Sequence, residues 1–191
     1  MQLKCRAHYQ LLLLLSRFSL IIFIGLPGCG KSTIGRQIAR RLNCDFIDSD
    51  VEIEKRAGCT IREFFEREGE EKFRDVEETT LSDIVSQAIG VVSTGGGSVI
   101  RQINRDNLRK SGYVIYLRST PDELVKRLRH DRNRPLLQVS DPMQKVRDLF
   151  DHRDHLYSET AHFVIETGRP SVSSLVNTLV MQIELAGVKY S

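Results

Sequence analysis

Short apolar runs alternate along the chain with longer stretches of helical character. The runs are Leu20–Ile24, Asp45–Ile47, Val91–Ser93, Tyr113–Leu117 and Phe163–Ile165. They are rich in Val, Ile, Phe and Tyr, as strands buried within a parallel sheet are. The helical stretches are Lys31–Leu42, Val51–Ala57, Ile61–Gln87, Asn104–Lys110, Pro121–Arg129, Pro142–Leu156 and Val172–Leu185, and the long one is expected to break near Thr79–Thr80. In "RSTPDELVKRL", Thr120 reads as a helix cap, with Pro121 at the first helical position and Glu123 completing a capping box. The segment from His130 to Pro142 has two prolines and several arginines, and reads as a long exposed loop of the kind that tends to carry function. Strand–helix alternation predicts an α/β fold, a parallel sheet with helices on both faces.

Composition adds bounds. The chain has 191 residues, enough for one α/β domain; 40% are hydrophobic and 28% charged, a globular balance. A net charge of +3 gives no argument for nucleic acid. Cys5, Cys29, Cys44 and Cys59 form no C-x-x-C pair, which argues against zinc and a disulfide framework and suits a reducing cytoplasm. The five histidines show no metal spacing. The start, "MQLKCRAHYQLLLLLSRFSLIIFIG", looks superficially like a signal peptide, but Arg17 interrupts it and its second half leads into a glycine loop. It also falls short of the about 20 continuous apolar residues that span a membrane. Residues 1–17 are expected to lie outside the fold and 18–191 to form one domain.

"IIFIGLPGCGKST" contains Gly25-x-x-x-x-Gly30-Lys31-Ser32 between a strand and a helix, the context that this motif requires. Glycines let the backbone wrap a phosphate chain, and successive N–H groups with the helix N-terminus face the anion. Lys31 would reach the β- and γ-phosphates and Ser32 would take a Mg²⁺ position. The motif therefore predicts nucleoside triphosphate binding and leaves the acceptor open. Cys29, beside amides that favour anions, is the expected most reactive thiol; the alternative is a small residue merely tolerated there.

Asp48 and Asp50 end the second strand, at the edge where open α/β sheets bind ligands. An extended chain would turn both to one side. One could hold a Mg²⁺-bound water and the other a substrate hydroxyl; alternatively, one caps the following helix. The glycines of "STGGGSV", Gly95, Gly96 and Gly97, suit close approach to a polar ligand or a tight turn. Arg74 is one helical turn from Glu70 and Glu78, which fits either a surface ion pair or a carboxylate clamp.

Taken together, "GLPGCGKSTIGRQIARRL", "FIDSDVEIEKRAGCTIREFFEREGEEKFRDVE", "STGGG", "RNRPLL" and "RDHLY" resemble the shikimate kinase family from about Leu20 to Leu185. The resemblance implies a P-loop NTPase fold, a three-layer α/β/α domain with a five-stranded parallel sheet. This is nucleoside-monophosphate-kinase-like, with a mobile lid at about 127–142. It implies transfer of the γ-phosphate of ATP to the 3-hydroxyl of shikimate, a step towards chorismate and aromatic amino acids, by a cytoplasmic and monomeric enzyme without membrane or nucleic-acid partners.

It also implies site roles. Gly28, Cys29, Gly30, Lys31, Ser32 and Thr33 surround the ATP phosphates; Ser32 ligates Mg²⁺ and Asp48 holds one of its waters. Asp50 binds shikimate hydroxyls and is the candidate base. Arg74 and Arg153 clamp the shikimate carboxylate, with Gly96 donating its amide and Gly95 and Gly97 beside it. Phe65, Phe73 and Glu77 shape the pocket. Arg134, on the lid, joins Lys31 and Asp50 as catalytic; Arg127 lies near the nucleotide, and Arg169 and Pro170 pass the adenine. One departure is His155, where the family often has Pro, which could loosen Arg153. The alternatives are a small P-loop kinase for gluconate or a nucleoside monophosphate, and a nucleotide-binding regulatory or nucleic-acid module. A nucleotide base offers no carboxylate to two arginines, and no aromatic residue interleaves with the charges of "RLRHDRNRP".

Overall fold

The computed structural model describes residues 19–128, 141–168 and 170–189. In chain order the described elements are β1 (Leu20–Ile24), α1 (Lys31–Leu42), β2 (Phe46–Asp48), α2 (Ser49–Ala57), α3 (Ile61–Gln87), β3 (Gly90–Ser93), α4 (Gln102–Ser111), β4 (Tyr113–Arg118), α5 (Pro121–Leu128), α6 (Pro142–Thr160), β5 (Phe163–Glu166) and α7 (Val172–Leu185). The strands form one parallel sheet in the order β2-β3-β1-β4-β5. β1 is central, and every residue of Leu20–Ile24 is buried, as are Val114–Leu117 of β4. A strand with no solvent-facing side needs cover on both faces; α1 packs with α7, while α3, α4 and α6 form a second contiguous group. Each large aliphatic side chain so buried contributes about 1.5–3 kcal/mol.

Topology locates the site. The chain leaves β1 towards β2 and β3 on one side, then crosses to β4 and β5 on the other. That reversal opens a crevice at the carboxyl end of β1, where such sheets bind ligands.

Local chemistry explains the helix starts. Thr60 accepts from the Glu63 amide at 3.2 Å while Glu63 accepts from the Thr60 amide at 2.8 Å, a complete capping box on α3. Thr120 and Glu123 do the same for α5, as the sequence predicts. Asp141 caps α6 with Pro142 in its first turn. Arg109 Nη1 donates to the carbonyls of Glu159, Thr160 and Ala161 at 2.9–3.1 Å and so serves the other end of α6.

Three expectations change. The long helix breaks at Gly69, with φ 83° and ψ 174°, and not near Thr79–Thr80. A β-branched residue only mildly disfavours helix, and the Thr79 hydroxyl donates to the Asp75 carbonyl at 2.9 Å within it. Glycine alone takes a positive φ without strain. The second helix starts at Ser49 instead of Val51, so Asp48 and Asp50 do not share an extended segment. The sixth helix runs past Leu156 to Thr160, burying Tyr157 completely.

Candidate active site

The loop from Gly25 to Gly30 joins β1 to α1. Gly30 is the helix cap at φ 101°, a left-handed conformation that leaves the first-turn amides of α1 facing outward, uncapped by any side chain. Lys31 is buried, and its Nζ donates to the carbonyls of Gly25 and Leu26 at 2.8 and 3.0 Å. It is folded back into the loop. Cys29 is 1% exposed, with Sγ 3.7 Å from Lys31 Nζ. Such burial keeps reagents away and favours the reading of a small tolerated residue over a reactive thiol. Gly28 and Ser32 are half-buried and Thr33 is exposed beside them.

At the neighbouring strand end, the Ser32 hydroxyl donates to Asp48 Oδ2 at 2.7 Å and lies 3.3 Å from the Ser93 hydroxyl. Asp48 Oδ1 accepts from the Asp50 amide, so Asp48 is also the cap of α2. The alternation argument fails here because the chain turns helical at Ser49. Asp50 still faces the crevice, now from the first turn of α2. Burial foremost, then the nearby Asp48 charge, raises its pKa to about 6, against the opposing pull of Lys31. Ser49, fully buried, accepts from the Gly95 amide at 3.0 Å and ties this turn to the glycine segment. Ser49 was not singled out in the sequence; its place between two aspartates was the only signal.

The three glycines after β3 each sit where a side chain would collide with a different part of the site. A Cβ on Gly95 would stand 2.5 Å from Asp50 Oδ1 and 3.2 Å from Glu77 Oε1. On Gly96 it would meet Pro27 of the phosphate loop at 2.6 Å, and on Gly97 the Arg74 guanidinium at 2.1 Å. The segment is therefore the meeting point of the phosphate loop, the acidic turn and α3. Arg74 donates through Nη1 to Glu77 at 2.6 Å and through Nη2 to Glu70 at 2.9 Å; its other expected neighbour, Glu78, pairs instead with Arg101. Glu77 is 1% exposed, and burial raises its pKa although Arg74 and Arg153 pull the other way. Phe73 is buried with its ring 4.4 Å from that of the half-buried Phe65, and Arg74 lies 5.2 Å over Phe73. From α6, Arg153 Nη1 donates to the Gly96 carbonyl at 3.1 Å, and the Tyr157 hydroxyl donates to the same oxygen. Tyr157 closes the quoted segment "RDHLY" but was not read as part of the site.

Arg127 Nη1 donates to the Cys29 carbonyl at 3.3 Å and Nη2 to the Thr167 carbonyl at 2.6 Å, so it links the phosphate loop to the segment after β5. Pro170 follows that segment on the surface.

A family model described as shikimate kinase matches residues 27–184. The chain belongs to the shikimate kinase family. It is 53% identical over 168 residues to the shikimate kinase of Burkholderia lata, covering 88% of this chain and 91% of that one. It is 51% identical over 168 residues to the shikimate kinase of Ralstonia nicotianae, covering 88% of each. Among solved structures it is similar to shikimate kinase from Acinetobacter baumannii in complex with shikimate, with a TM-score of 0.83 and 40% identity over 91% of this chain and 97% of that one. Shikimate kinase from Aquifex aeolicus superposes with a TM-score of 0.76 at 29% identity, over 89% and 99%. The five-stranded parallel sheet is that of the shikimate kinases, a P-loop NTPase fold. Arg134, Arg169, most of the expected lid at 127–142 and the extension 1–17 lie outside the described residues.

Proposed function

We propose that the chain binds ATP along Gly28–Thr33 and shikimate against Gly95–Gly97, and transfers the γ-phosphoryl group to the 3-hydroxyl of shikimate. As a member of the shikimate kinase family it is an ATP-using phosphotransferase that phosphorylates shikimate. The observation that carries the division of roles is the glycine segment, which touches Asp50, Pro27 and Arg74 through three consecutive residues. A hydroxy acid fits between them, its hydroxyl at Asp50 and its carboxylate at Arg74 and Arg153. Arg74 would keep its bond to buried Glu77 and exchange exposed Glu70 for the substrate carboxylate, a bidentate pairing. Arg153 completes the clamp, Gly96 offers its amide, and Phe65 and Phe73 wall the pocket.

Asp50 accepts the hydroxyl proton. With a pKa of about 6 it is ionised at neutral pH yet basic enough to work there. Lys31 leaves its two carbonyls for the phosphates. Arg127 and Pro170 frame the nucleotide. The hard oxygens of Ser32 and Asp48, 2.7 Å apart, fit magnesium, Ser32 directly and Asp48 through water. Magnesium supplies charge neutralisation at the phosphates when bound.

Among the described residues no helix is long and apolar enough to cross a membrane. The described residues form one kinase domain, in a cytoplasmic monomer whose partners are ATP and shikimate.

Coupled ADP release tests the proposal with shikimate and with gluconate as acceptors. Release is expected with shikimate alone. No shikimate-dependent release overturns it, and equal release with gluconate overturns the acceptor assignment.

A further inference from the structure

α6 delivers Arg153 and Tyr157 to the Gly96 carbonyl, and something must fix its rotation. The residue after Arg153 meets β4. Asp154 Oδ1 accepts from the Tyr116 hydroxyl and from Arg118 Nε, and Oδ2 accepts from Arg118 Nη2, each at 2.8 Å. The Arg118 guanidinium is thus held as a fork on one carboxylate, and its face lies 5.6 Å from the Phe150 ring, one helical turn earlier. Tyr116 is buried and stacks on Tyr157, ring centroids 4.9 Å apart. Burial and the Asp154 bond push the Tyr116 hydroxyl far above the usual tyrosine range, so it stays a donor. Phe150, Asp154 and Tyr157 form one helical stripe on β4, and Arg153, about 100° around the helix, faces the glycine segment.

We propose that Asp154 is a positioning residue for shikimate: held by Arg118 and Tyr116, it sets the rotation of α6 that aims Arg153 at the substrate carboxylate. Asp154 and Arg118 are partly exposed, with side-chain exposures of 21% and 38%. Ion pairs of that exposure add little to global stability, so the value of the clasp is directional. It also answers the departure at His155. The helix runs unbroken through that position, and the clasp, one residue before it, fixes Arg153 by a tether to the sheet. The inference rests on the proposed binding of shikimate by Arg153.

Asp154→Asn keeps an acceptor for Tyr116 and loses the charged fork. It is expected to raise the shikimate KM about tenfold, with ATP KM and thermal midpoint nearly unchanged. Arg118→Lys, which breaks the fork from the other side, is expected to act in the same direction. In an Arg153→Ala background, Asp154→Asn should add nothing further, because it acts through Arg153. An unchanged shikimate KM in both single variants overturns the proposal. So does an effect that adds in full to Arg153→Ala, or parallel losses for ATP, shikimate and thermal midpoint. If Arg153→Ala itself leaves shikimate KM unaltered, the clamp reading falls first. If only the Asp154 and Arg118 variants are silent, the clamp stands and the positioning role falls.

Discussion

Asp50 sits in the first turn of α2 with Asp48 behind it and Glu77 across Gly95, and burial with those charges lifts its pKa from 3.8 to about 6. The native state therefore binds this proton more tightly than the unfolded chain does. Stability from this group is greatest below about pH 4, falls as pH rises to about 6, and stays reduced above, by ~3 kcal/mol at most. Asp50→Asn removes the buried charge. The variant should melt several degrees higher than the parent at pH 8 and show no such gain at pH 4, a pattern that differential scanning calorimetry reads directly. Its kcat should fall by about 10²–10⁴ if Asp50 accepts the proton. The parent enzyme's kcat/KM should decline as pH drops through about 6. Equal melting of variant and parent at pH 8 would mean that the site does not strain this carboxylate.

The turn after β3 and the helix α3 approach so closely that a side chain on Gly97 would displace the Arg74 guanidinium. A Cβ on Gly97 would overlap Arg74 Nη1, the tip of a flexible side chain, so folding can survive the change while the guanidinium moves. Gly97→Ala is expected to raise shikimate KM about tenfold or more, to leave ATP KM in place, and to cost little in thermal midpoint; steady-state kinetics with each substrate varied decides it. A variant with normal shikimate KM would place the substrate carboxylate elsewhere. These approaches also mark what sequence could and could not convey. The five strands, the phosphate loop and the capping box of α5 were legible because each rests on local chemistry, read over a few consecutive residues. The break falls at Gly69 and not at the expected Thr79–Thr80, although glycine is the poorer helix former and the local signal therefore lay in the sequence. Asp48 and Asp50 were found, but their geometry was not, because the helix starts between them. Tyr157, Ser49 and the Asp154 clasp were missed for a common reason. Their meaning lies in partners 38 to 61 residues away, at Tyr116, Gly95 and Gly96.

On the scale of the whole molecule, the proposed acceptor site exists only when the sheet is assembled. Asp50 comes from the start of α2, Arg74 and Glu77 from α3, the glycines from the end of β3, and Arg153 from α6. None of these four segments is near the others in an unfolded chain, so shikimate should bind the native state alone and shift its stability by mass action. At about 100 times its dissociation constant the shift is ~2.7 kcal/mol. For a domain of this size each kcal/mol moves the midpoint by about 2–4 °C, so a rise of about 5–10 °C is expected. Arg74→Ala at the same shikimate concentration should show little of it, while retaining the rise produced by Mg-ADP, because the phosphate loop draws on different residues. Melting curves with each ligand separate the two halves of the crevice. A full shikimate-induced rise in the Arg74→Ala variant would overturn the clamp, and loss of both rises together would mean that Arg74 holds the fold instead of the substrate.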